Sequence, residues 1–284
     1  MLSNSDRMQI LSESLPFIQK FAGKIFVIKY GGAAMTNGQL KKKVIDDLLL
    51  LSYIGIRPIL VHGGGPMINH WLKKINIEPK FHNGIRVTDR DTMEVVEMVL
   101  VGKVNKDLVT LLNKKRSVAI GLSGQDGNLI TASRLFGSKD NLIGKVDRIN
   151  VKILHLLLDQ GYIPVIASVA NDYSGQAYNI NADTVAGAVA SSLKAEKLIL
   201  LTDTAGIMYD TNDIDTLIKS LRVDEIEELI QKKIISGGMI PKVKCGIKAL
   251  QENVNSVHII DGRIEHAMLL EILTVDGIGS MLSL

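Results

Sequence analysis

Apolar residues follow two different patterns along this chain. Short continuous apolar runs, such as "IFVIKY", alternate with longer segments in which apolar residues recur every three or four positions. The continuous runs are typical of strands buried on both faces, and the periodic segments are typical of amphipathic helices. Strands are predicted at 25–30, 57–61, 117–120, 162–167, 197–202 and 257–260. Helices are predicted at 39–54, 66–76, 89–114, 147–160, 181–194 and 240–253. The alternation favours an α/β fold with an open, mostly parallel central sheet sandwiched by helices.

The remaining segments predict an extra helix and two irregular regions. Residues 8–21 carry a helical pattern ahead of the first strand, and Pro16 either kinks this helix or starts its second half. The helix either packs on its own domain or docks a partner. Segments 121–146 and 168–178, rich in glycine and polar residues, predict loops or hairpins over the sheet. A boundary near 190–195 divides the chain into two lobes that share one sheet.

Composition excludes several classes of protein. A net charge of +3 is too small to predict a nucleic-acid-binding surface. The single cysteine, Cys245, permits no intrachain disulfide, which fits a reducing compartment, and we interpret it as buried filler. No segment predicts a membrane span, because the most apolar stretch, 48–61, is short and contains Arg57 and Pro58. The N-terminus resembles neither a secretory signal nor a transit peptide.

Candidate chemistry lies where predicted strands end in glycine. The first such end is Lys29-Tyr30-Gly31-Gly32, and the second is Gly63-Gly64-Gly65 followed by Pro66. Glycine lets the backbone approach a ligand, and the N-terminus of the following helix favours an anion. Neither a P-loop nor a dinucleotide fingerprint is present, since no Gly-Lys pair precedes Ser or Thr and the third fingerprint position after Gly63 is Ile68. A nicotinamide oxidoreductase is therefore not expected.

Two further strand or helix ends extend this pattern. "LTDTAGI" places Asp203 and Gly206 after the fifth predicted strand, where the aspartate either caps a helix or contacts a nucleotide. "SGGMIPKVKCGIKAL" places Lys242 early in a helix, either as a surface lysine or as a second cation beside Lys29. His62 is interpreted as structural.

Six motifs together resemble the amino-acid kinase family over nearly the whole chain. They are "KYGGAAM", "VHGGGPMI", "NGIRVTD", "NINADT", "LTDTAGI" and "GGMIPKVKCGIKAL". Among family members, "FHNGIRVTD" is similar to the acceptor site of those that phosphorylate N-acetyl-L-glutamate in arginine biosynthesis. Thr204 stands where valine is common. The resemblance implies transfer of the γ-phosphoryl group of ATP to the γ-carboxylate of N-acetyl-L-glutamate, with Mg²⁺ bridging the β- and γ-phosphates.

The resemblance also assigns roles to residues. Lys29 and Lys242 would stabilise the transferring phosphoryl group, and Asp183 would orient both lysines unless it only caps its helix. The implied acceptor contacts are Gly64, Gly65, Arg86 and Asn179. The implied ATP contacts are Gly31, Gly32, Asp203, Gly206, Ile207, Met208, Ile234, Ile235 and Ser236. Thr88 and Asp89 would cap the following helix. No metal ligand from the protein is implied.

The segment "EHAMLLEILTVDGIGSM" resembles the C-terminal signature of the arginine-inhibited members, with Ser280 where threonine is usual. This implies an arginine site with Lys197, Glu271, Gly277 and Gly279 as candidates. It also implies a homohexamer, a trimer of dimers linked by the N-terminal helix, and in photosynthetic lineages a PII-type partner. The implied organisation is an oligomerisation helix at 1–22, an acceptor lobe at 23–193, and a lobe for ATP and arginine at 194–284. A bacterial cytoplasm or, for a plastid-encoded protein, the plastid stroma is expected.

Three alternatives stay open at this point. A related kinase acting on free glutamate or aspartate would share the nucleotide machinery, although "NGIRVTD" argues against it. A non-catalytic nucleotide sensor would not need Lys29, Asp183, Arg86 and Lys242 together. An arginine-binding scaffold would bind arginine without releasing ADP.

Overall fold

The computed structural model describes residues 3–82, 85–137 and 141–284. Asn83 and Gly84 of the predicted acceptor motif, residues 1 and 2 of the predicted oligomerisation segment, and residues 138–140 of the predicted loop region lie outside the described residues. The helices are α1 Asn4–Phe21, α2 Gly38–Tyr53, α3 Gly65–Lys74, α4 Arg90–Glu97, α5 Asn105–Lys115, α6 Val151–Asp159, α7 Ala182–Ser192, α8 Val223–Gln231, α9 Met239–Gln251 and α10 Ala267–Leu273. The strands are β1 Ile25–Tyr30, β2 Arg57–His62, β3 Phe81–His82, β4 Ile85–Arg86, β5 Ala119–Ser123, β6 Ile130–Arg134, β7 Gly144–Ile149, β8 Ile163–Ala167, β9 Val169–Asn171, β10 Ala177–Asn179, β11 Lys197–Thr202, β12 Ser220–Arg222, β13 Ser256–Asp261 and β14 Ser280–Ser283.

The central sheet has eight strands in the order β12-β14-β13-β11-β1-β2-β8-β5. All neighbouring pairs are parallel except β13 and β14. The expected mostly parallel sheet is therefore confirmed. Its inner strands are almost wholly buried, and their side chains are aliphatic with few aromatic rings.

Strand β1 lies at the point where the strand order reverses. It pairs with β2 on one side and with β11 on the other, so the chain crosses from one half of the sheet to the other around it. In an open parallel sheet this reversal leaves a crevice at the carboxyl ends of the strands, where ligands bind. The residues at this edge are therefore the first place to look for chemistry.

Helices cover both faces of the sheet. Helix α7 packs on β1 and β11 and against α9, whereas α2 packs on β2 and against α5 and α10. Helix α1 is fixed at its start by a capping box, in which Ser3 and Asp6 exchange backbone and side-chain hydrogen bonds. It begins four residues earlier than predicted and continues through Pro16. Its apolar side chains Met8, Leu11 and Leu15 are exposed. Among the described residues, no helix is long and apolar enough to cross a membrane.

Two predicted elements differ from the structure. The helix predicted to begin at 147 begins at Val151, since Gly144–Ile149 forms an antiparallel pair with β6 and Asn150 caps the helix. The helix predicted over 89–114 contains a π-helical segment, Met98–Val104, between α4 and α5. The predicted loops or hairpins at 121–146 and 168–178 form a second sheet in the order β10-β9-β6-β7.

Candidate active site

Lys29 occupies the carboxyl end of β1, and its buried side chain folds back over the following turn. A Cβ atom at Gly31 would lie 2.9 Å from Lys29 Nζ, so the lysine can take this path only because Gly31 has no side chain. Gly32 has a φ of 68°, which favours glycine, and starts a short 3-10 turn. The first glycine motif therefore serves to place an ammonium group at the crevice.

Asp183 brings the two predicted lysines together. Its Oδ1 lies 3.0 Å from Lys29 Nζ, and its Oδ2 accepts a 2.9 Å hydrogen bond from Lys242 Nζ. These side chains come from β1, the first turn of α7 and the first turn of α9. The alternative role for Asp183, a helix cap, belongs instead to Asn181, whose side chain accepts hydrogen bonds from the amides of residues 183 and 184.

The charges in this group do not balance. Burial alone would raise the pKa of Asp183, but the adjacent Lys29 and Lys242 hold it below its usual value. The carboxylate therefore stays ionised. Burial, and secondarily Lys242, lowers the pKa of Lys29, while Asp183 opposes that change. Two buried ammonium groups share one carboxylate, and the excess positive charge favours an anionic ligand.

Cys245 fixes the helix that carries Lys242. Its thiol donates a 3.0 Å hydrogen bond to the backbone carbonyl of Asp183, and a Cβ atom at Gly187 would lie 2.6 Å from its sulfur. Burial raises the pKa of Cys245 to about 12. The thiol is thus an unreactive packing group, in agreement with its interpretation as filler.

The second glycine motif forms a tight bend between β2 and α3. A Cβ atom at Gly64 would lie 2.6 Å from Leu100, and one at Gly63 would lie 3.4 Å from Ala182, so neighbours press on the loop from both sides. Beside Gly65 there is open space. Gly64 caps α3 without a side-chain hydrogen bond, which leaves the first amide groups of the helix available to a ligand.

Arg86 lies buried next to this loop. Its Nη2 donates hydrogen bonds to Asn69 Oδ1, at 2.6 Å, and to the carbonyl of Gly65, at 3.3 Å, and its guanidinium lies over the Phe81 ring. Its Nη1 is buried with no hydrogen-bond partner among the described residues. Burial lowers the pKa of Arg86 without neutralising it. The free nitrogen of a buried guanidinium is a site for an anion such as a carboxylate.

Asn179 is connected to Arg86 through Thr88. Asn179 Nδ2 donates a 3.1 Å hydrogen bond to Thr88 Oγ1, which in turn donates to the carbonyl of Arg86. Thr88 therefore braces the arginine strand and does not cap the next helix as expected. The helix cap is Asp89 alone, whose side chain accepts from the amide of Thr92.

A cleft of about 620 Å³ opens on the other side of Lys242. The predicted ATP contacts that line it are Asp203, Gly206, Ile207, Met208, Ile234 and Ser236. Three other predicted ATP contacts, Gly31, Gly32 and Ile235, are absent from its walls. The Ile235 side chain points into the core and is 1% exposed. Gly206 has a φ of 150°, and a Cβ atom there would lie 2.6 Å from Ser280 Oγ.

Sequence reasoning missed the charged pair in the wall of this cleft. Asp261 ends β13, Arg263 lies two residues after it, and both line the wall of the cleft, joined by a two-point ion pair with distances of 2.9 and 2.7 Å. The signal was present, since "IIDGR" is another apolar strand that ends in a glycine turn. Among the described residues, no group of three or more His, Cys, Asp or Glu side chains converges to hold a metal ion.

The four candidates for an arginine site also converge, around a buried histidine that the sequence did not single out. Lys197 Nζ donates to His258 Nε2 at 2.8 Å, and His258 Nδ1 donates to Glu271 Oε1 at 2.6 Å. The other Glu271 oxygen accepts from the amides of Ile278 and Gly279. A Cβ atom at Gly277 would lie 2.7 Å from that oxygen, so Gly277, with a φ of 57°, permits the contact. We call these residues, with Phe21 beneath Lys197, the Lys197 cluster.

Charge in the Lys197 cluster is strongly perturbed. Burial lowers the pKa of Lys197 to about 8, although Glu271 opposes the change. Burial would raise the pKa of Glu271, but hydrogen bonds from His258 and from the 278 and 279 amides hold it below its usual value. The carboxylate is therefore ionised, and the lysine loses its proton more easily than an exposed lysine does.

Comparisons with known proteins give the same picture. The model of the amino acid kinase family matches residues 24–261. The chain is 67% identical to an acetylglutamate kinase from Gracilaria tenuistipitata var. liui, with all of both chains covered, and 59% identical to one from Thermosynechococcus vestitus, with 99% of this chain and 96% of that protein covered.

Solved structures agree in fold. An N-acetylglutamate synthase from Neisseria gonorrhoeae, complexed with coenzyme A and N-acetyl-glutamate, is 25% identical with a TM-score of 0.86 over 98% of this chain, which spans 63% of that protein. A carbamate kinase from Giardia lamblia bound to AMP-PNP is 16% identical, with a TM-score of 0.66 over 92% of this chain and 99% of that one. Family model, full-length relatives and fold agree, so the chain belongs to the amino acid kinase family and, within it, to the acetylglutamate kinases.

Proposed function

We propose that this protein transfers the γ-phosphoryl group of ATP to the γ-carboxylate of N-acetyl-L-glutamate, giving N-acetyl-L-glutamyl 5-phosphate for arginine biosynthesis. The observation that carries this proposal is the Lys29–Asp183–Lys242 group, which holds excess positive charge and whose Lys242 lines the 620 Å³ cleft. The names of the full-length relatives support the same reaction.

Phosphoryl transfer to a carboxylate requires cations at the site and no general base. A carboxylate acceptor is already ionised, and the barrier is its approach to a polyanionic phosphate. Asp183 stays ionised between two lysines, so its role is to fix their positions. Lys29 and Lys242 neutralise charge on the transferring group, and backbone amides near Gly32 and Gly64 bind its oxygens.

The acceptor pocket explains selectivity for a second carboxylate. Arg86 presents one unpaired nitrogen, and in the proposed complex this nitrogen binds the α-carboxylate of N-acetyl-L-glutamate. Asn179, held by Thr88, lies within the same braced unit and contacts the acetamide or the α-carboxylate. Gly64 and Gly65 give the substrate access to the backbone.

ATP occupies the cleft lined by Asp203, Gly206, Ile207, Met208 and Ser236 in this proposal. A magnesium ion bound with ATP would take most of its ligands from phosphate oxygens and water. Bound with ATP, Mg²⁺ neutralises phosphate charge. In this proposal residues 23–193 form the acceptor lobe and residues 194–284 form the ATP lobe.

Trapping the acyl phosphate with hydroxylamine tests the reaction directly. With ATP, we expect a hydroxamate from N-acetyl-L-glutamate and little from free glutamate or aspartate. A product from free glutamate with none from N-acetyl-L-glutamate would establish the related kinase instead. ATP binding without any hydroxamate would establish a nucleotide sensor.

Lys242→Ala tests the charge argument within the same assay. We expect turnover to fall by about 100-fold or more, with ATP binding changed much less, because the lysine acts on the transition state. Lys244→Ala, an exposed lysine on the same helix, is the matched control and leaves turnover unchanged.

We propose in addition that arginine binds at the Lys197 cluster and inhibits the enzyme within a homohexamer linked by α1. Support comes from the ionised Glu271, which suits a guanidinium, and from the exposed apolar side chains of α1, whose last residue, Phe21, contacts Lys197. Deleting residues 1–22 should lower the hexamer fraction in ultracentrifugation and weaken inhibition. A folded, fully inhibited hexamer after deletion would refute this linkage.

A PII-type partner, and a location in a bacterial cytoplasm or a plastid stroma, remain predictions. Pull-down with a purified PII-type protein from the same organism would test the first.

A further inference from the structure

The helical segment that follows Arg86 contains an irregular turn, which contacts the Gly63–Gly65 loop. The amide of Asn105 bonds to the carbonyl of Leu100, five residues back, so the turn over Met98–Val104 is wider than an α-helical turn. π-helical turns are rare and are frequent at functional sites. Leu100 and Val104 of this turn pack directly against Gly64.

Asn105, at the end of the turn, projects its side chain towards three neighbouring strands, β2, β8 and β5. Its Nδ2 lies 3.1 Å from His62 Nε2, 2.9 Å from the carbonyl of Val165 and 3.4 Å from the carbonyl of Leu122. Two of these partners are backbone carbonyls, which can only accept, so the amide nitrogen, and not the oxygen, must face them. The side chain is completely buried.

Gly121 of β5 provides the space that the Asn105 side-chain amide occupies. A Cβ atom at Gly121 would lie 2.0 Å from Asn105 Oδ1, so only glycine allows the amide to lie against β5. Asn105 Oδ1 has no hydrogen-bond partner among the described residues. A buried amide oxygen without a partner is destabilising. The amide nitrogen, in contrast, makes favourable hydrogen bonds to residues of the neighbouring strands.

His62 carries this contact to the glycine loop. Because the Gly63 carbonyl can only accept, the ring proton resides on Nδ1, which donates a 3.0 Å hydrogen bond to it, and Nε2 accepts from Asn105. A doubly protonated ring would direct an N–H group at the Asn105 amide, so the geometry requires a neutral histidine in one tautomer. This hydrogen bond fixes the orientation of the peptide group between Gly63 and Gly64.

We infer that Asn105 and His62 are positioning residues that fix the Gly63–Gly65 loop, so that its amide groups meet the transferring phosphoryl group. The π-helical turn contributes both halves of this support, with Asn105 acting through His62 and with Leu100 and Val104 packing on Gly64. The inference rests on the proposed function, since it concerns the site of phosphoryl transfer.

A purely structural role makes a different prediction from a positioning role. Loss of a buried hydrogen bond lowers stability wherever it occurs, whereas a displaced loop lowers turnover without an equal change in substrate binding. Asn113 provides the matched control. It lies eight residues further along α5, and its side chain bonds to the backbone of residues 118 and 119 at the opposite end of β5.

The experiment compares Asn105→Leu with Asn113→Leu in the hydroxamate assay, with turnover and KM measured separately for each substrate. We expect Asn105→Leu to reduce turnover by about 10- to 100-fold, with both KM values changed less than about threefold, as for a small displacement of a catalytic donor. Asn113→Leu should lower the unfolding midpoint without reducing turnover. Equal turnover in the two variants would overturn the inference.

Gly121→Ala gives a second route in case Asn105→Leu does not fold. The new methyl group displaces the Asn105 amide, and the same loss of turnover is expected. If neither variant folds, the imidazole ¹⁵N spectrum of the wild-type protein decides. A neutral His62 protonated on Nδ1, whose signals shift when AMP-PNP and N-acetyl-L-glutamate bind, supports the inference; the other tautomer, or signals unaffected by both ligands, overturns it.

Failure of the proposed function is a separate result. If the wild-type protein forms no acyl phosphate, both the proposed function and the inference are refuted. An active wild type with fully active Asn105 variants would remove only the inference.

Discussion

The ammonium group of Lys242 donates a 2.9 Å hydrogen bond to Oδ2 of Asp183. Since Oδ1 of the same carboxylate lies 3.0 Å from Lys29, one aspartate sets the separation of two cations that come from opposite ends of the chain. The cations lie at the carboxyl edge of the sheet, where the strand order reverses. Their spacing therefore depends on the packing of α7 and α9 against β1.

Asp183→Asn should impair both stability and turnover. Without the carboxylate two buried ammonium groups face each other, and loss of one partner from a buried ion pair destabilises by about 3–5 kcal/mol. Turnover should fall by about 100-fold, because neither lysine is held in place. Urea unfolding and the hydroxamate assay measure the two effects, and ATP should restore part of the lost stability by supplying negative charge.

Asp159→Asn is the control for that substitution. Asp159 pairs with Arg57 on the surface, with side chains 59% and 39% exposed, so its loss should change stability by less than about 1 kcal/mol. If Asp183→Asn behaved like Asp159→Asn in both assays, the carboxylate could not be what positions the lysines.

Gly31→Ala should reduce turnover while leaving the fold intact. The new methyl group would lie 2.9 Å from Lys29 Nζ, and the flexible end of the lysine can move away at little cost in stability. We expect a 10- to 100-fold loss of turnover from the displaced cation. Gly38→Ala, where a Cβ atom meets nothing within 4 Å, should retain full activity. Full activity in both variants would show that turnover does not depend on the position of the Lys29 ammonium group.

The sequence pattern was sufficient to predict the parallel sheet, and the family resemblance predicted that Lys29, Asp183 and Lys242 meet. Continuous apolar strands and glycine-rich strand ends depend on local patterns, and parallel strands bring their carboxyl ends to one edge. The resemblance to a family then assigned roles that spacing alone left open.

Other parts of the site depend on contacts that no local pattern records. Apolar residues recur at helical spacing through the π-helical turn at Met98–Val104, so the pattern over 89–114 gave no sign of that turn or of Asn105. His258 lies within an apolar strand run, and its partners are 61 residues before it and 13 after it. The strand Gly144–Ile149 alternates on a half-exposed edge, where helical and extended patterns are hard to distinguish.

Arg86→Lys should weaken acceptor binding. A lysine keeps the charge but loses the planar donors, which bond to Asn69 and Gly65 and leave Nη1 free for a carboxylate. We expect KM for N-acetyl-L-glutamate to rise by about 10- to 100-fold, with KM for ATP unchanged. Arg116→Lys, at an exposed arginine that lies over the Tyr53 ring, should leave both constants unchanged. An unchanged KM for the acceptor in Arg86→Lys would place the α-carboxylate elsewhere.

Protonation of His62 should make the folded protein sensitive to mild acid. Burial lowers the pKa of His62 to about 4 from an ordinary 6.5, although its hydrogen bond to Gly63 acts in the opposite direction. Between these values the unfolded chain binds a proton that the folded protein excludes, so the free energy of unfolding falls as the pH falls from 6.5 towards 4. At about 1.4 kcal/mol for each pH unit, His62 alone contributes a loss of about 2 kcal/mol between pH 6.5 and pH 5.

Urea unfolding of wild type and His62→Gln at pH 7 and pH 5 isolates this contribution. Other groups titrate in the same range, such as Asp47, whose pKa is raised by burial to about 6 and whose effect on stability has the opposite sign. These groups are common to both proteins, so they cancel when the two losses are subtracted. We expect the wild type to lose about 2 kcal/mol more than His62→Gln. The same substitution at the exposed His155 should retain the wild-type loss, and an equal loss in wild type and His62→Gln would mean that the folded protein accommodates a charged His62 ring.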